Sequence, residues 1–472
     1  MSVTLDRRGF VGGLIATGVA PLVLPGFARG FAANEKINVG VIGYGRIAHT
    51  MDVPCTLKHT ALCRITAVCD LDRKRREYGA QRTKAMYRDK TGEKDAQVRL
   101  YSNYRELLAN PSIDAVLICV PDHWHAIVAT DAILAGKHIY LQKPFTQTIE
   151  EGRILRELAL RKKTVLQVGS WQRSVSQFAL VCELVQNGRI GEVKRVEVGC
   201  GCDSSGGSSA RQDVPEGFDY EMWLGPTDGT VPYNETRCHA QDLAKIGNRP
   251  GWIQLEPYGW GMITNWGAHQ LDIAQWGLGM DGSGPDSVSG TCKWMNTSGG
   301  RLWNAHTHYD LHYSYNGGKT DVHACDKYPM GIKFIGEKGD WLYCMRGAAK
   351  VTPSDPDVPG NGAMQPLMAS RNKLLEPIAQ PKFKVRTCTD HFLNWLEGIR
   401  LGDPKHTVTN AWEAQRSATV CSLGHICMKL GKTVAWDPKT ETSPTPGTAE
   451  LMKPFARGKY NLDRAIKALK GA

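Results

Sequence analysis

Residues 37–50 carry the pattern that most restricts how this chain can fold. An apolar, strand-like run over residues 37–42 breaks into Gly43-x-Gly45-x-x-Ala48 and continues into helix-compatible sequence. Gly43 permits a tight turn, Gly45 lets a pyrophosphate approach the backbone, and Ala48 lets the helix pack on its strand. The helix N-terminus then offers free N–H groups to the phosphates. The pattern predicts a dinucleotide site formed by Gly43, Tyr44, Gly45, Arg46 and Ile47.

A second apolar run, residues 65–70, ends in an acid 27 residues after Gly43. A carboxylate there can accept hydrogen bonds from the adenosine ribose hydroxyls, so Asp70 favours NAD as the cofactor. The basic run Arg73-Lys-Arg-Arg76 follows. It is either a solvated helix face or a contact for the 2′-phosphate of NADP. We favour the solvated face because Asp70 would repel that phosphate, and NADP remains the alternative.

Short apolar runs alternate with helical patterns over residues 37–168, which predicts an α/β fold with an N-terminal Rossmann doubly wound parallel sheet. Strands are expected at 37–42, 65–69, 114–120, 138–141 and 164–168, and helices near 46–59, 73–88, 104–109, 124–135 and 149–161. From about residue 193 the pattern predicts a C-terminal α+β domain with a large, mainly antiparallel open sheet. Its strands are expected at 193–199, 303–315, 321–325, 331–335 and 340–345. Two later helices, 388–399 and 410–430, are expected to return to the first domain.

The length of 472 residues allows several domains. We predict an export signal over 1–33, the nucleotide-binding domain over 34–170, a substrate-binding domain over 171–440 and a tail over 441–472.

The N-terminal segment is typical of a twin-arginine export signal. Asp6-Arg-Arg-Gly-Phe10 precedes an uncharged run over residues 11–24. The alternative is a membrane-anchoring N-terminus, which the short and Gly/Pro-interrupted run disfavours. We therefore expect a periplasmic or otherwise exported protein without stable membrane insertion. Such a protein could carry a cofactor that was loaded before export.

Composition limits the classes of partner that this chain is expected to bind. The formal charge is +11, but the basic residues are mostly dispersed, so no nucleic-acid partner is expected. None of the fourteen cysteines forms a Cys-x-x-Cys motif, so the sequence signals neither a zinc site nor a redox dithiol. A small molecule is the expected substrate.

Polar residues follow three predicted strands on the edge where open α/β sheets bind ligands. The first such segment is Pro121-Asp-His-Trp-His125, the second is Gln142-Lys-Pro144, and the third begins at Trp171. We expect the cofactor to contact Pro121, His123, His125, Gln142 and Lys143. As alternatives, Lys143 could be structural, and His123 with His125 could pack the loop or bind a metal.

These motifs, together with Trp266-Gly-Ala-His269-Gln-Leu-Asp272, resemble the Gfo/Idh/MocA oxidoreductases over about residues 36–435. The resemblance implies that Lys143 lies beside the nicotinamide and that His269 is the acid/base. It implies NAD(P)-dependent oxidation or reduction of a secondary hydroxyl of a sugar, polyol or sugar derivative. Gln142 stands where the family has Glu, and Asn265 where it often has Asp. With less negative charge nearby, we expect lowered pKa values for Lys143 and His269.

Candidate substrate contacts follow from the same segments: Trp171, Gln172, Arg173, Asn265, Asp272 and the polar-aromatic stretch 233–239. Trp223 is either a sugar platform or a core aromatic. An NAD-dependent glycoside hydrolase, which oxidises a sugar transiently and retains its cofactor, is the alternative function. The open sheet offers a surface for pairing, so we expect a homo-oligomer.

Alternate residues of one predicted strand, His306, His308, Asp310 and His312, share a face, with His323 across the hairpin. They could bind a metal, but a solvated or subunit-facing surface is favoured, so no metal is predicted.

Overall fold

The computed structural model describes residues 35–347 and 365–471, and it contains two sheets. The strands of the first sheet are β1 (Ile37–Ile42), β2 (Cys63–Cys69), β3 (Arg99–Tyr101), β4 (Ala115–Ile118), β5 (His138–Leu141) and β6 (Leu166–Val168). They are all parallel and lie in the order β3-β2-β1-β4-β5-β6. This is the doubly wound Rossmann order, and it reverses between β1 and β4, where a ligand crevice opens. The predicted export signal over 1–33 lies outside the described residues.

Helices cover both faces of this sheet, which is why its central strands are continuous apolar runs. The chain after β1 is helical from Ala48 to His59, although it passes through π-helical, α-helical and 3₁₀ turns rather than one regular helix. The α-helices of the domain are α1 (Val53–Thr56), α2 (Arg73–Thr91), α3 (Tyr104–Ala109), α4 (His125–Leu134) and α5 (Ile149–Arg161). Thr148 and Glu151 cap α5 reciprocally.

Sequence analysis missed β3. This strand has only three residues and lies at the sheet edge, where Leu100 is 47% exposed. Its residues are exposed or only half-buried, so it has no apolar run and periodicity carries no signal there.

The second sheet has eight strands in the order β13-β12-β11-β7-β10-β9-β8-β14. Only the β7–β10 pair is parallel, so the predicted fold class is confirmed. The strands are β7 (Val193–Gly199), β8 (Ser287–Trp294), β9 (His306–Tyr315), β10 (Thr320–Cys325), β11 (Gly331–Gly336), β12 (Trp341–Cys344), β13 (Leu367–Ala369) and β14 (Val434–Ala435). Tyr309, Leu311 and Tyr313 of β9 point into the core, and the intervening residues lie on the open face.

The remaining helices pack on this sheet or return to the first one. They are α6 (Ser176–Gln186), α7 (Tyr220–Leu224), α8 (Met262–Asn265), α9 (Gly267–Gly277), α10 (His391–Leu401), α11 (Ala411–Leu430), α12 (Thr448–Leu451) and α13 (Asp463–Lys470). Phe392 of α10 stacks on Tyr140 of β5 with ring centroids 4.5 Å apart, so α10 belongs to the core of the first sheet. The long helix α11 contributes Ala414 to that core and Leu423 to the core of the second sheet. In the part of the chain that the structure describes, no helix combines the length and apolar character that a bilayer span requires.

Candidate active site and cofactor cleft

The glycine turn after β1 opens onto a large cleft. Gly43 has a φ of +87°, and a Cβ there would lie 2.6 Å from the Cys119 carbonyl oxygen, so only glycine fits. A Cβ on Gly45, by contrast, would meet no atom within 4 Å. The backbone at Gly45 therefore borders open space at the start of a helix, where unsatisfied N–H groups favour a phosphate.

Asp70 lies on the wall of the cleft at the end of β2. Its carboxylate accepts from the backbone N–H of Tyr44 at 2.6 Å and from that of Asp72 at 2.9 Å. Burial raises the pKa of Asp70, against the opposing effects of Arg75, His239 and these two N–H donors. The ring of Tyr44 is fully buried and packs towards Gly79 of α2, so this predicted cofactor residue is not among those that line the cleft.

The basic run at the start of α2 divides into two parts. Arg73 and Lys74 are exposed, and Arg73 pairs with Glu216. Arg75 is buried, lines the cleft and donates to the Ala240 carbonyl at 2.8 Å. Arg73 and Lys74 are therefore solvated, as sequence analysis favoured. Arg75 is not, because it lies close to Asp70 and lines the cleft with it.

Residues 239–253 of the second domain form the opposite wall of this cleft. Asp72 anchors that segment by accepting from His239 Nε2 at 3.0 Å and from Gln241 Nε2 at 2.9 Å. Burial alone would raise the pKa of Asp72, but these donors lower it to about 2. A ligand in the cleft is therefore enclosed between the two domains. Sequence analysis had assigned His239 to substrate recognition, whereas the structure places it in the cleft.

We expect the substitution Asp72→Asn to accelerate dinucleotide dissociation by about tenfold. An asparagine still caps α2 through its carbonyl oxygen, but its NH₂ group cannot accept from His239 and Gln241, and a lost hydrogen bond to a charged group costs roughly 1.5–3 kcal/mol. Stopped-flow release of NADH fluorescence measures the rate. Asp242→Asn is the matched control because Asp242 caps a turn of the same segment on its exposed side. Equal rates in both variants would show that Asp72 does not hold the segment closed.

The loop after β4 lines the cleft and also carries two buried histidines. Pro121 and Asp122 line the cleft. His123 Nε2 lies 2.9 Å from the Trp223 carbonyl oxygen. His125 Nδ1 and Nε2 lie 2.6 and 3.1 Å from the carbonyl oxygens of Pro144 and Val120, and the neutral ring donates to one of the two. Burial lowers the pKa of His123 to about 3 and that of His125 to about 4. The structure does not place these histidines in the cleft; they fix the loop and the turn after β5.

Gln142 joins a buried carboxylate that sequence analysis missed. Its Nε2 donates to both carboxylate oxygens of Asp52 at 2.8 Å, and the Cys119 thiol donates to the same group at 3.0 Å. Burial raises the pKa of Asp52 to about 7, although its two donors oppose this. Gln142 itself is buried and lines the cleft, so the glutamine that departs from the family pattern still has an acid as its partner.

Lys143 lies where the cleft meets a second, smaller cavity. Its Nζ donates to the Asn265 carbonyl oxygen at 3.0 Å. Burial lowers the pKa of Lys143, and Arg46, Arg346 and Arg249 lower it further, whereas Asp122 raises it. Asp122 is thus the acid whose charge raises the pKa of Lys143, and the sequence pattern did not reveal this partner.

His269, near the start of α9, lines the smaller cavity and is 5% exposed. Burial lowers its pKa well below the usual value, and Arg346 and Lys143 lower it further. The imidazole is therefore neutral at neutral pH. The expected direction of both pKa shifts is confirmed, but the first cause is burial rather than the missing acids.

The structure divides the predicted substrate contacts into two groups. Trp171 and Asn265 line the smaller cavity, and Gln172 lies behind it, where its Oε1 accepts from Arg346 Nε at 2.8 Å. Arg173 and Asp272 instead form a buried pair with N–O distances of 2.7–3.2 Å, away from both cavities. The packing gives these two a structural role. Trp223 is buried in an aromatic cluster and borders the cofactor cleft.

The histidines of β9 and β10 lie mostly among carboxylates on the open face of the second sheet. His308 pairs with Asp326 at 2.9 Å, His312 with Asp321 at 3.0 Å, and His323 with Asp310 at 2.7 Å. Within the described residues, two sets have potential ligand atoms within 4.8 Å of one another, namely Cys202, His308 and Asp326, and Asp310, His323 and Cys325. His306 departs from the predicted shared face because it is fully buried.

Comparison with known proteins agrees with this architecture. Residues 37–170 match the model of the oxidoreductase family Gfo/Idh/MocA, NAD-binding Rossmann fold, and residues 204–344 match the model of its C-terminal alpha/beta domain. The two matches together cover more than half of the chain. The chain therefore belongs to the Gfo/Idh/MocA oxidoreductase family, and its first domain is an NAD-binding Rossmann domain. The open glycine turn and Asp70 fit the pyrophosphate and ribose of that cofactor.

Among curated relatives, the uncharacterized oxidoreductase YrbE of Bacillus subtilis is 28% identical over 45% of this chain and 53% of its own length. The D-xylose 1-dehydrogenase (NADP(+)) of Hypocrea jecorina is 35% identical over 21% of this chain and 25% of its own. The chain thus spans about a quarter to a half of these relatives. The WlbA dehydrogenase of Chromobacterium violaceum, solved with NADH and UDP-GlcNAcA, is 17% identical with a TM-score of 0.58, covering 86% of this chain and 97% of that one. That likeness shows the fold.

Proposed function

We propose that this protein is an NAD(P)-dependent oxidoreductase that oxidises or reduces a secondary hydroxyl of a sugar, polyol or sugar derivative. The observation that supports it is the meeting of Lys143 from the first domain with His269 from the second at one cavity, which opens into the dinucleotide cleft. When bound, NAD supplies the hydride acceptor for the carbinol carbon. A sugar dehydrogenase among the relatives agrees with this substrate class.

His269 and Lys143 have different roles in the proton transfer. The neutral imidazole of His269 accepts the hydroxyl proton as the carbinol is oxidised. Lys143 Nζ, oriented by its hydrogen bond to the Asn265 carbonyl, holds the substrate oxygen and assists the transfer in its uncharged form. Asp122 and Gln142 line the cleft together with Lys143, and the Asp122 charge opposes the lowering of the pKa of the amine.

This division predicts the pH dependence of oxidation. A lysine is charged below its pKa and uncharged above it, so kcat/KM should rise with pH through the depressed pKa of Lys143 and then level off. The rise is expected well below the ordinary lysine value of about 10.4. Lys143→Arg, which stays cationic, should lose the rise together with most of the rate. Persistence of the same rise in Lys143→Met would assign it to another group.

A glycoside hydrolase that retains its NAD is the second candidate. The observation that favours it is the wall formed by residues 239–253 and anchored on Asp72, because an enclosed dinucleotide is suited to repeated use without exchange. Such an enzyme oxidises a sugar hydroxyl, eliminates the aglycone and then reduces the product with the same cofactor.

One experiment separates these candidates. The purified protein, with its nucleotide content measured in the denatured supernatant, is incubated with sugars, polyols and nitrophenyl glycosides while NADH absorbance and aglycone release are both followed. NADH accumulation supports the dehydrogenase, and aglycone release without net NADH supports the hydrolase. A protein that neither carries nor binds NAD or NADP would overturn both, and the Lys143→Met variant reports background rates.

We also propose that residues 1–33 direct export by the twin-arginine route and that the protein forms a homo-oligomer through the open face of the second sheet. The paired arginines in Asp6-Arg-Arg-Gly-Phe10 support the route. Replacing both Arg7 and Arg8 by lysine should leave the protein in the cytoplasmic fraction of a bacterial host. Unchanged fractionation would contradict export by this route.

A further inference from the structure

Three potential metal ligands that the proposed reaction does not use meet at one edge of the second sheet. They are Cys202 in the loop after β7, His308 near the start of β9 and Asp326 directly after β10. Strands β7 and β10 are parallel and β9 is antiparallel to β10, so these three positions lie at the same edge. One potential ligand atom of each residue lies within 4.8 Å of the other two. The described linings of the cofactor cleft and of the smaller cavity contain none of the three.

Tyr309, which is buried in the core, holds two parts of this set in place. Its backbone N–H donates to Asp326 Oδ1 at 3.1 Å, and its hydroxyl donates to the Gly201 carbonyl oxygen at 3.0 Å. The first bond leaves Asp326 Oδ2 facing His308 Nδ1, which is 2.9 Å away. The second bond fixes the residue that precedes Cys202. A carboxylate and a loop that are held in this way lose little further freedom when they bind an ion.

The three donor types together suit zinc. A thiolate sulfur, an imidazole nitrogen and a carboxylate oxygen are ligands that Zn²⁺ takes in tetrahedral sites, whereas Mg²⁺ and Ca²⁺ take oxygen ligands. With metal–ligand distances of about 2.0–2.3 Å, tetrahedral donors lie roughly 3.3–3.7 Å apart. The 2.9 Å between His308 and Asp326 and the 4.8 Å within which all three donors lie bracket that range. Each donor atom therefore needs to move by only about 1 Å or less.

The set is open to solvent on one side and has a negative charge beside it. The side chain of His308 is 55% exposed, whereas that of Asp326 is 8% exposed. An ion can therefore enter from solvent and keep a water as its fourth ligand. The charges of Asp326 and Asp203 both act on Cys202, and both attract a cation. Asp203 is itself paired with Arg249, so Asp326 supplies the charge for the ion.

The second set of potential ligands, Asp310, His323 and Cys325, has a different environment. His323 Nε2 lies 2.7 Å from Asp310 Oδ1, and its Nδ1 lies 2.6 Å from Arg195 Nη2. Both ring nitrogens thus have partners, and a guanidinium beside the ring opposes the binding of a second cation. The surroundings therefore favour the set that contains Cys202.

We propose that Cys202, His308 and Asp326 bind one zinc ion at a site separate from both cavities. The ion joins three segments that are distant in the sequence. Because Cys202 precedes Asp203, the partner of Arg249 on the wall of the cofactor cleft, the ion also braces the loop that carries this pair. Sequence analysis considered a metal on this sheet only within β9 and its hairpin, whereas Cys202 lies in a separate loop.

The test uses the full-length protein with its thiols reduced and its metals removed by a chelator. Zinc is titrated by calorimetry, and cobalt serves as a spectroscopic probe because a thiolate ligand gives Co²⁺ a charge-transfer band. We expect one ion per chain, a cobalt–thiolate band, and a higher thermal midpoint with zinc, since a ligand of the folded state stabilises it. Magnesium and calcium in excess should not displace the ion.

Matched variants assign the site to these residues. Cys202→Ser and His308→Gln should each weaken zinc affinity by at least about tenfold, and Cys202→Ser should also abolish the cobalt–thiolate band. Cys292→Ser is the control for the cysteine, because Cys292 is also half-buried but belongs to neither set. His312→Gln is the control for the histidine, because His312 pairs with Asp321 on the surface of the same sheet and belongs to neither set. Both controls should bind zinc as the parent protein does.

Each outcome decides for or against the zinc site. Weaker binding in Cys202→Ser and His308→Gln, but not in the two controls, supports it. No zinc binding by the reduced protein, or unchanged affinity in both variants, would overturn it. Weaker binding only in Cys325→Ser would place the ion at the second set and would also overturn it.

Folding and turnover are kept apart from this result. His308→Gln alters a mainly exposed side chain, so it carries the test if Cys202→Ser is unstable. The thermal midpoints of the zinc-free variants show that each is folded. Zinc affinity and the cobalt band do not depend on turnover, so the zinc site and the oxidoreductase activity are tested independently.

Discussion

Replacing Lys143 by methionine is expected to lower turnover by about 10²–10⁴-fold while dinucleotide binding changes little. Lys143 lines both cavities and its Nζ donates to the Asn265 carbonyl oxygen, whereas methionine keeps the apolar stem without the amine. The glycine turn and Asp70, which are built on other strands, do not depend on that amine. Single-turnover rates and calorimetric titration with NAD measure the two properties separately.

Lys137 supplies the matched control for this substitution. It lies at the opposite end of β5, where its Nζ donates to the carbonyl oxygens of Asn110 and Ile113 at 2.8 Å. Lys137→Met removes a buried ammonium from the residue that precedes β5, so it should lower stability but leave kcat/KM near that of the parent protein. Wild-type turnover in Lys143→Met would remove the lysine from the mechanism, and loss of NAD binding would make its role structural.

Asp272→Ala is expected to destabilise the protein by about 3–5 kcal/mol. Asp272 and Arg173 are each at most 1% exposed, and the Ser417 hydroxyl also donates to Asp272 at 2.6 Å. The substitution leaves a guanidinium buried with only one carboxylate partner, Asp281, and that partner is 32% exposed. The urea midpoint measured by tryptophan fluorescence reports the loss, because Arg173 lies over the ring of Trp276.

Asp281→Ala is the control for this pair. It removes the exposed partner of Arg173 and keeps the buried one, so a cost of about 1 kcal/mol or less is expected. If Asp272→Ala does not accumulate as folded protein, the milder Asp272→Asn gives the same comparison at lower cost. A stable Asp272→Ala protein that fails to bind substrate would instead support the sugar-contact role that its position in the sequence first indicated.

The parts of this fold that could be predicted from sequence are those with local signals. The strand-turn-helix at Gly43 follows from glycine stereochemistry, and the central strands follow from short apolar runs bounded by turn residues. The approximate ends of α5 and α11 could also be predicted. Each helix has a capping residue close to its first turn, and capping residues and apolar spacing are both local features of the sequence. The edge strand β3 and the two-residue β14 carry no such signal and were not predicted. Strands β8 and β13 of the second sheet were not predicted either.

The sequence by itself determined the fold class, and the resemblance of its motifs to a known family indicated Lys143 and His269 as the reacting pair that we propose. Only the tertiary structure decided that Arg173 and Asp272 face each other in the core, that Gln142 binds Asp52, and that Arg346 lines the smaller cavity. These contacts join residues 90 or more positions apart. The type of a residue determines which hydrogen bonds its side chain can make. The packing of the whole chain determines which distant residue becomes its partner.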